Sequence, residues 1–594
     1  MSDTLAPFTY LIVDARRWLV TIALVLVGCR LLRGPFSRAL APLAAWWRSP
    51  SAARGTAGVL ALTAVFVVVA STPRLRFTNV LHGDEPKYLR VCESFYQGLG
   101  FDITDVRPVK ALPAHTPPMT LGTVKLFAGA IATESRALER DLRAVRRGRT
   151  TFNRAVYTGA WFLRGKDGRV YQVHNPGLSF FLFPGFVLDQ WLMSDGAAGN
   201  GQFPNSLFFT SLTLLAIYAM WTAVLFDLYA STFREQGAAA LMAGAAVLTL
   251  PVAAMPFQIY PETLAGLTIA LVVRHVFFSE RPTTPGSGAA GLAASLLPWL
   301  HIRFLPISLL WAAAALLRTA RTGRHRTGFA AGYAVGMGLL CLYGYHVTGS
   351  LLPTATYFAE QSAEALKLPA MLPGMIGELF DRDYGLLSYS PVYLLALPGI
   401  VPFCKRAPWQ AVMLAATVVS LAAVSAGHSW NAAGGSPLRH VVAAIPLALV
   451  PAGETIQRWR GSRVFWVMAG LLLFFSLQNA VAYNLHHQKE IGPMLDASVS
   501  GWKTLLMFPF VFEPEAMTRT VFLFTPLLAV WLTICAGLLA LPLVSGRSAN
   551  RSVASRRWPI EALVLTGLLA VALAGVVVGA ATGVRSSPQY SQPR

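Results

Sequence analysis

The chain has 594 residues, of which 54% are hydrophobic and only 13% charged, where soluble domains carry roughly 25% charged residues. With a mean hydropathy of +0.51, this excludes an ordinary soluble enzyme and indicates an integral membrane protein with many spans. The net charge of +21 does not indicate nucleic acid: Lys and Arg cluster in short loops between apolar runs, as the positive-inside rule demands, and no nucleic-acid-binding signature occurs.

In chain order, residues 19–32 are apolar but flanked by Arg16, Arg17, Arg30 and Arg33, with no small-residue cleavage site. They read as an interfacial or marginal helix, not a cleaved signal. The basic stretch 33–54 is expected on the cytoplasmic side. The first full span is 55–71, running outward, and 72–205 then forms a long outer loop. That loop holds the weakly amphipathic 121–132, the charged run 134–149, and an apolar piece, 178–193, introduced by His174-Asn175-Pro176-Gly177. The apolar piece is shorter than a span and is expected to lie along the interface or re-enter without crossing.

Further spans are predicted at 206–226, 237–255, 262–278, 288–300, 302–317, 328–347, 387–403, 409–426, 441–453, 464–483, 520–542 and 560–581. With the first, this makes an all-α polytopic protein of about thirteen crossings. Alternate links carry Arg234; Arg274 and Arg281; Arg318, Arg321, Arg324 and Arg326; Lys405 and Arg406; Arg458, Arg460 and Arg463; and Arg547, Arg551, Arg556 and Arg557. All the strongly basic short loops therefore fall on one side. The other side receives Phe257-Gln258-Ile259-Tyr260-Pro261-Glu262, His301-Ile302-Arg303, and the pieces 348–384, 428–440 and 484–519. The tail 585–594 is rich in Ser, Pro and Gln and is expected to be disordered. The division expected is 1–54, a membrane module 55–455, and C-terminal helices with a short tail, 456–594.

Of the five cysteines, Cys29, Cys341, Cys404 and Cys535 lie in or beside apolar runs, and Cys92 alone falls in the outer loop. No disulfide framework is expected. No CxxC, HExxH, Walker or dinucleotide pattern occurs, so nothing reads as a nucleotide or metal motif.

The stretch His82-Gly83-Asp84-Glu85-Pro86-Lys87-Tyr88-Leu89 stands where the chain leaves its first span. Two adjacent acids there must face a wet protein cavity, because lipid would not tolerate them. The topology gathers Asp84, Glu85, Lys87, His174, Glu262, His301, Arg303 and Arg439 on the outer face. Such a set suits transfer from a charged lipid donor: a carboxylate takes the proton of an attacking hydroxyl, and cations stabilise the departing phosphate. The plainer readings are an N-cap or loop acid for Asp84, an arginine snorkelling to headgroups for Arg303, a helix cap for His301, and an ordinary N-terminal acid for Glu262. His486-His487 lacks an acid at ligand spacing, and no metal site is assigned.

Gly83-Asp84-Glu85-Pro86-Lys87-Tyr88-Leu89 resembles the GDEPxYL motif of bacterial membrane glycosyltransferases of the GT-C fold, relatives of the lipid A aminoarabinose transferase and the protein O-mannosyltransferases. Tyr260-Pro261-Glu262, Trp299-Leu300-His301-Ile302-Arg303-Phe304-Leu305-Pro306, Phe380-Asp381-Arg382-Asp383-Tyr384-Gly385-Leu386-Leu387, Tyr389-Ser390-Pro391 and Ser436-Pro437-Leu438-Arg439-His440 follow in the order of that family, over roughly 55–455. The resemblance implies a GT-C-like bundle whose first outer loop carries interfacial helices, in a bacterial inner membrane with the site facing the periplasm. It implies a polyprenyl-phosphate sugar as donor and a cell-envelope glycan, lipid or protein as acceptor. Asp84 would be the base and Glu85 its support. Lys87, Arg303 and Arg439 would bind phosphate, with Tyr88, His174, Glu262 and His301 lining the substrate site. The family's Lys-Pro-Pro segment is His174-Asn175-Pro176-Gly177 here, with histidine for the lysine. A divalent cation, Mg²⁺ or Mn²⁺, on the acidic pair is left open, one pair being no cage. A transporter or lipid flippase, and a polymerase or ligase using lipid pyrophosphate, are the alternatives.

Overall fold

A computed structural model describes residues 51–71, 84–106, 136, 143, 156–159, 162–192, 207–233, 236–256, 258–279, 282–318, 323–358, 368–380, 384–429, 438–486 and 533–541. The predictions for 19–32, 33–50, 121–132, 560–581 and 585–594, nearly all of 134–149 and just over half of 520–542 lie outside these residues, as do Asp381 and Asp383. The chain groups into two units, Met1–Val59 and Leu60–Arg594. Of the first, the described part is the start of helix α1, Ser51–Ser71.

The described residues are mostly helical. Among the described residues, four helices are long and apolar enough to cross a membrane: α4 (Phe208–Thr232), α9 (Gly323–Thr348), α14 (Pro408–Ser429) and α16 (Arg463–His486). They coincide with the spans predicted at 206–226, 328–347, 409–426 and 464–483. Between them lie shorter helices, α5 (Gln236–Leu248), α6 (Glu262–Phe278), α7 (Thr284–Leu300) and α8 (Leu305–Arg318), and after α9 come α10 (Ala355–Phe358) and α11 (Leu368–Phe380).

Three predicted spans are not continuous helices; in the first, 237–255, α5 stops at Leu248 and a 3-10 turn, Val252–Ala254, follows. Residues 387–403 divide into α12 (Leu386–Tyr389), a 3-10 turn Pro391–Ala396 and α13 (Leu397–Arg406). Residues 441–453 form turns and a 3-10 segment, Ile445–Leu449, before α15 (Ala452–Trp459). Pro391, Pro446 and Pro451 remove amide donors and interrupt the helical ladder, a break that mean hydropathy cannot register. Buried broken backbone needs other partners, and side chains supply them. Ser390 Oγ donates to Leu250 O at 2.5 Å, Ser476 Oγ accepts from Val392 N at 3.1 Å, Tyr229 Oη donates to Pro446 O at 2.6 Å, and Asn479 Nδ2 donates to Tyr389 O at 3.0 Å.

The long loop predicted at 72–205 also departs from the all-α expectation. After α2 (Glu85–Tyr96) comes a small antiparallel meander, β1 (Val156–Gly159), β2 (Phe162–Arg164) and β3 (Val170–Gln172), then α3 (Gly177–Leu192). Leu163 pairs with Tyr171 across β2 and β3. Gly168, at φ +83°, turns the hairpin after Asp167, whose carboxylate accepts from Arg169 N at 3.1 Å. Asp-Gly between short alternating strands is a hairpin signal that the reading by hydropathy passed over. Leu163, Tyr171 and Val173 pack on Leu340, Tyr343 and Val347 of α9, tying the loop to the end of a span. Helix α3, the predicted interfacial piece, packs against α4. Its Asp189 accepts from Phe209 N (2.7 Å) and Thr210 N (2.9 Å), capping α4 from outside its own chain segment.

Helices α7 and α9 meet through glycine. A Cβ on Gly332 would lie 2.0 Å from Gly288 O, and one on Gly291 would lie 2.1 Å from Phe329 O. Such backbone approach is how small residues hold membrane helices together. Gly332→Leu is therefore expected to destabilise the protein by about 3 kcal/mol or more. Thermal unfolding in detergent measures this; a variant as stable as the parent would rule out the close seam.

Candidate active site

The site is assembled from the joints between helices. Asp84 occupies the N-cap position of α2, with Pro86 in the first turn. Glu262 begins α6 directly after Pro261. His301 ends α7, and Arg303 lies in the 3-10 turn Ile302–Phe304 that precedes α8. His174 lies between β3 and α3, and Arg439 follows Leu438, whose φ is +57°. Each joint frees a side chain from helical packing and turns it toward the same place.

Asp84 does not cap its helix, since its side chain makes no capping bond. Its Oδ1 instead accepts from Lys87 Nζ at 2.5 Å and lies 3.6 Å from His174 Nε2. Its Oδ2 accepts from Arg439 Nη2 at 3.0 Å. Glu262 is fully buried; its Oε1 is bonded by Arg303 and lies 3.5 Å from Arg439 Nε. Arg439 thus bridges the two acids, with its guanidinium 3.7 Å over the ring of Tyr260. Arg303 is turned inward onto Glu262 and is not a snorkelling arginine. Glu262 Oε2 and Arg303 Nε are buried with no hydrogen-bond partner among the described residues.

His301 Nδ1 accepts from Arg303 N at 3.2 Å, so the cap reading describes one of its contacts. Its ring also lies 5.4 Å from that of His174 and 5.3 Å from that of Tyr357. Tyr88 stacks on His174 at 5.8 Å, and His174 Nδ1 is 3.3 Å from Tyr357 Oη. Asn175 holds this corner, donating to Pro298 O at 2.8 Å and accepting from Thr356 Oγ1 at 3.3 Å. All the site residues chosen from sequence therefore fall in one cluster. Tyr260 and Tyr357 were not among them. Tyr260 stands two residues before Glu262 in a joint already singled out, while Tyr357 carries no sequence signal.

Glu85 departs most from its expected place. It is buried, and its Oε1 accepts from Ile259 N at 2.8 Å. The adjacent acids thus serve different partners, and they do not form a chelating pair. Among the described residues no group of three His, Cys, Asp or Glu is placed to hold a metal. Glu85 ties the start of α2 to the joint carrying Tyr260 and Glu262, and so sets Asp84 relative to Arg439. Glu85→Gln, which keeps an acceptor oxygen, is expected to retain most function. Glu85→Ala should lower turnover about tenfold, the effect of losing one hydrogen bond to a charged group. Equal loss in both variants would show that the charge matters and the tether does not.

Electrostatics follow from this geometry. Burial tends to raise the Asp84 carboxyl. His174, Arg439 and Lys87 outweigh it and hold the group well below the ordinary carboxylate range. A folded value below the unfolded one makes this a stabilising contribution, present above the ordinary carboxylate range and lost only as pH falls through the lowered value. Burial, with Arg303 beside it, pushes His301 below its usual value. A neutral ring accepting at Nδ1 carries its proton on Nε2. Burial raises the Tyr88 hydroxyl, which stays a phenol.

No protein-family model matches the chain, and no curated protein matches it.

Proposed function

We propose that this chain is a multi-span GT-C-type membrane glycosyltransferase that moves a sugar from a polyprenyl-phosphate donor to an acceptor outside the cytoplasm. The observation that carries this reading is the single cluster joining a partly exposed carboxylate, Asp84 (23% exposed), to Lys87, Arg439, Arg303 and Glu262 at the ends of apolar helices. An acceptor hydroxyl attacks the anomeric carbon while its proton passes to Asp84. The bond from that carbon to the phosphate oxygen breaks, its electron pair leaves with the polyprenyl phosphate, and the configuration inverts. Lys87 and Arg439 meet the phosphate, and Arg303 Nε supplies a further donor. In this step Asp84 is the base and Lys87, Arg439 and Arg303 are the donors to phosphate, and no nucleotide site is required.

Orientation rests on charge. Helix α6 begins at Glu262 in the cluster and carries Arg274 in its later turns, about 18 Å further along its axis. There Arg274 pairs with Asp227 of α4 at 2.6 Å. The basic links fall at such opposite ends, which supports a cytoplasmic side remote from the cluster and a site facing the periplasm of a bacterial inner membrane. The fuller bundle of about thirteen spans belongs to the same proposal.

Native mass spectrometry of the co-purified lipid, followed by transfer assays with that donor, tests the reading. A polyprenyl-phosphate sugar is the expected lipid. Lys87→Ala should raise the donor KM about tenfold, the worth of one charge-assisted hydrogen bond. Transport without transfer, or a bound lipid-pyrophosphate glycan, would replace this function with a flippase or a polymerase.

A further inference from the structure

The cluster makes two demands on the same groups. Transfer requires Asp84 to accept a proton and requires Lys87 and Arg439 to hold phosphate, yet here those groups hold one another. Both Asp84 oxygens are engaged, Oδ1 by Lys87 at 2.5 Å and Oδ2 by Arg439 at 3.0 Å. A carboxylate held in this way by two cations is a poor proton acceptor.

Counting charge sharpens the point. The acids are Asp84, Glu85 and Glu262, and the cations are Lys87, Arg303 and Arg439, so the cluster is balanced while its histidines are neutral. Glu262 keeps Arg303 and shares Arg439. A phosphodiester anion entering this balanced, largely buried cluster finds, among the described residues, no cation without a carboxylate partner. The cations nearest the partly exposed side chain of Asp84 are Lys87, 13% exposed, and Arg439, 12% exposed. Lys87 is on a flexible stem within its own helix turn, and Arg439 can pivot on the Tyr260 ring while keeping Glu262.

We infer that Asp84 is masked in the resting site and is freed to act as a base only when the donor's phosphate draws Lys87 and Arg439 away from it. This rests on the donor-phosphate reading above and adds an order to it: donor first, acceptor second. Freed of both cations, and with an added anion nearby, a carboxylate in this setting holds a proton far more readily. Among the described residues the charged and titratable groups around Asp84 are Lys87 and Tyr88 of α2, His174, Tyr260, His301 and Arg439, with Glu262 and Arg303 beyond Arg439.

The test uses the full-length protein in detergent and farnesyl methyl phosphate, a prenyl phosphodiester whose single ionisation lies far below the assay pH. Calorimetric titration at about pH 5.5, in two buffers of different ionisation enthalpy, counts protons taken up per probe bound. The expected result is uptake of at least about 0.3 proton by the parent protein and close to none by Asp84→Asn. Infrared difference spectra of the unsubstituted protein read the same event, the probe converting a carboxylate band into a protonated-carboxyl band. If the probe binds, and binds more weakly to Lys87→Ala, yet no carboxyl band and no Asp84-dependent uptake appear, the masking is wrong while the donor reading stands. If the probe does not bind, or binds Lys87→Ala and Arg439→Gln as tightly as the parent, the donor reading fails and the masking with it.

Discussion

Asp84→Asn is expected to lower transfer by about 10²–10⁴-fold, the usual contribution of a positioned base, and to leave the protein folded and able to bind lipid. Asparagine keeps the size of the side chain and one acceptor oxygen, so the contacts with Lys87 and Arg439 weaken but the site is not emptied. It cannot accept the hydroxyl proton. Tm and lipid occupancy near those of the parent, with turnover lost, would assign Asp84 to chemistry. Turnover close to the parent's would remove it from the reaction, and with it the reason for the adjacent cations. A large fall in Tm would instead make the Lys87–Asp84–Arg439 bridge a structural clamp.

Glu262→Ala is expected to be the most destabilising change at the site, by about 3–5 kcal/mol, as for other broken buried ion pairs. Glu262 is fully buried and holds Arg303. Without it, Arg439 retains Asp84 and Tyr260, but among the described residues Arg303 is left with only the ring of Phe304, at 5.3 Å, and His301 beside its amide. The cost arises from an uncompensated buried guanidinium, so removing that charge should recover much of it. Glu262→Ala/Arg303→Met is expected to unfold at a higher temperature than Glu262→Ala alone. A double variant no more stable than the single one would show that Arg303 does not depend on Glu262.

Several mismatches between sequence and structure have one cause. Hydropathy reports whether a stretch is apolar, not whether its backbone is helical. Residues 441–453 are apolar and almost wholly buried, yet Pro446 and Pro451 divide them into turns and a 3-10 segment. The strands of the outer loop are three or four residues long, too short for alternation to stand out, although Asp167-Gly168 marks their turn. Glu85 beside Asp84 looks like half of an acidic pair. Its bond to Ile259, 174 residues away in the chain, has no local trace.

What the amino-acid sequence determines by itself is the solvent and the polarity: apolar runs demand lipid, and the segregation of Lys and Arg sorts the loops into two sets. It also names the residues worth bringing together, because acids and cations at span ends are costly unless they meet. Tertiary structure alone decides how they meet. Arg439 reaches Asp84 across 355 residues and Glu262 across 177, and such pairings depend on how the joints between helices turn. Those turns are set by proline breaks, a left-handed residue at Leu438 and borrowed side-chain hydrogen bonds. Periodicity along the chain encodes which face of a helix is buried; it does not encode where a helix ends in space beside another.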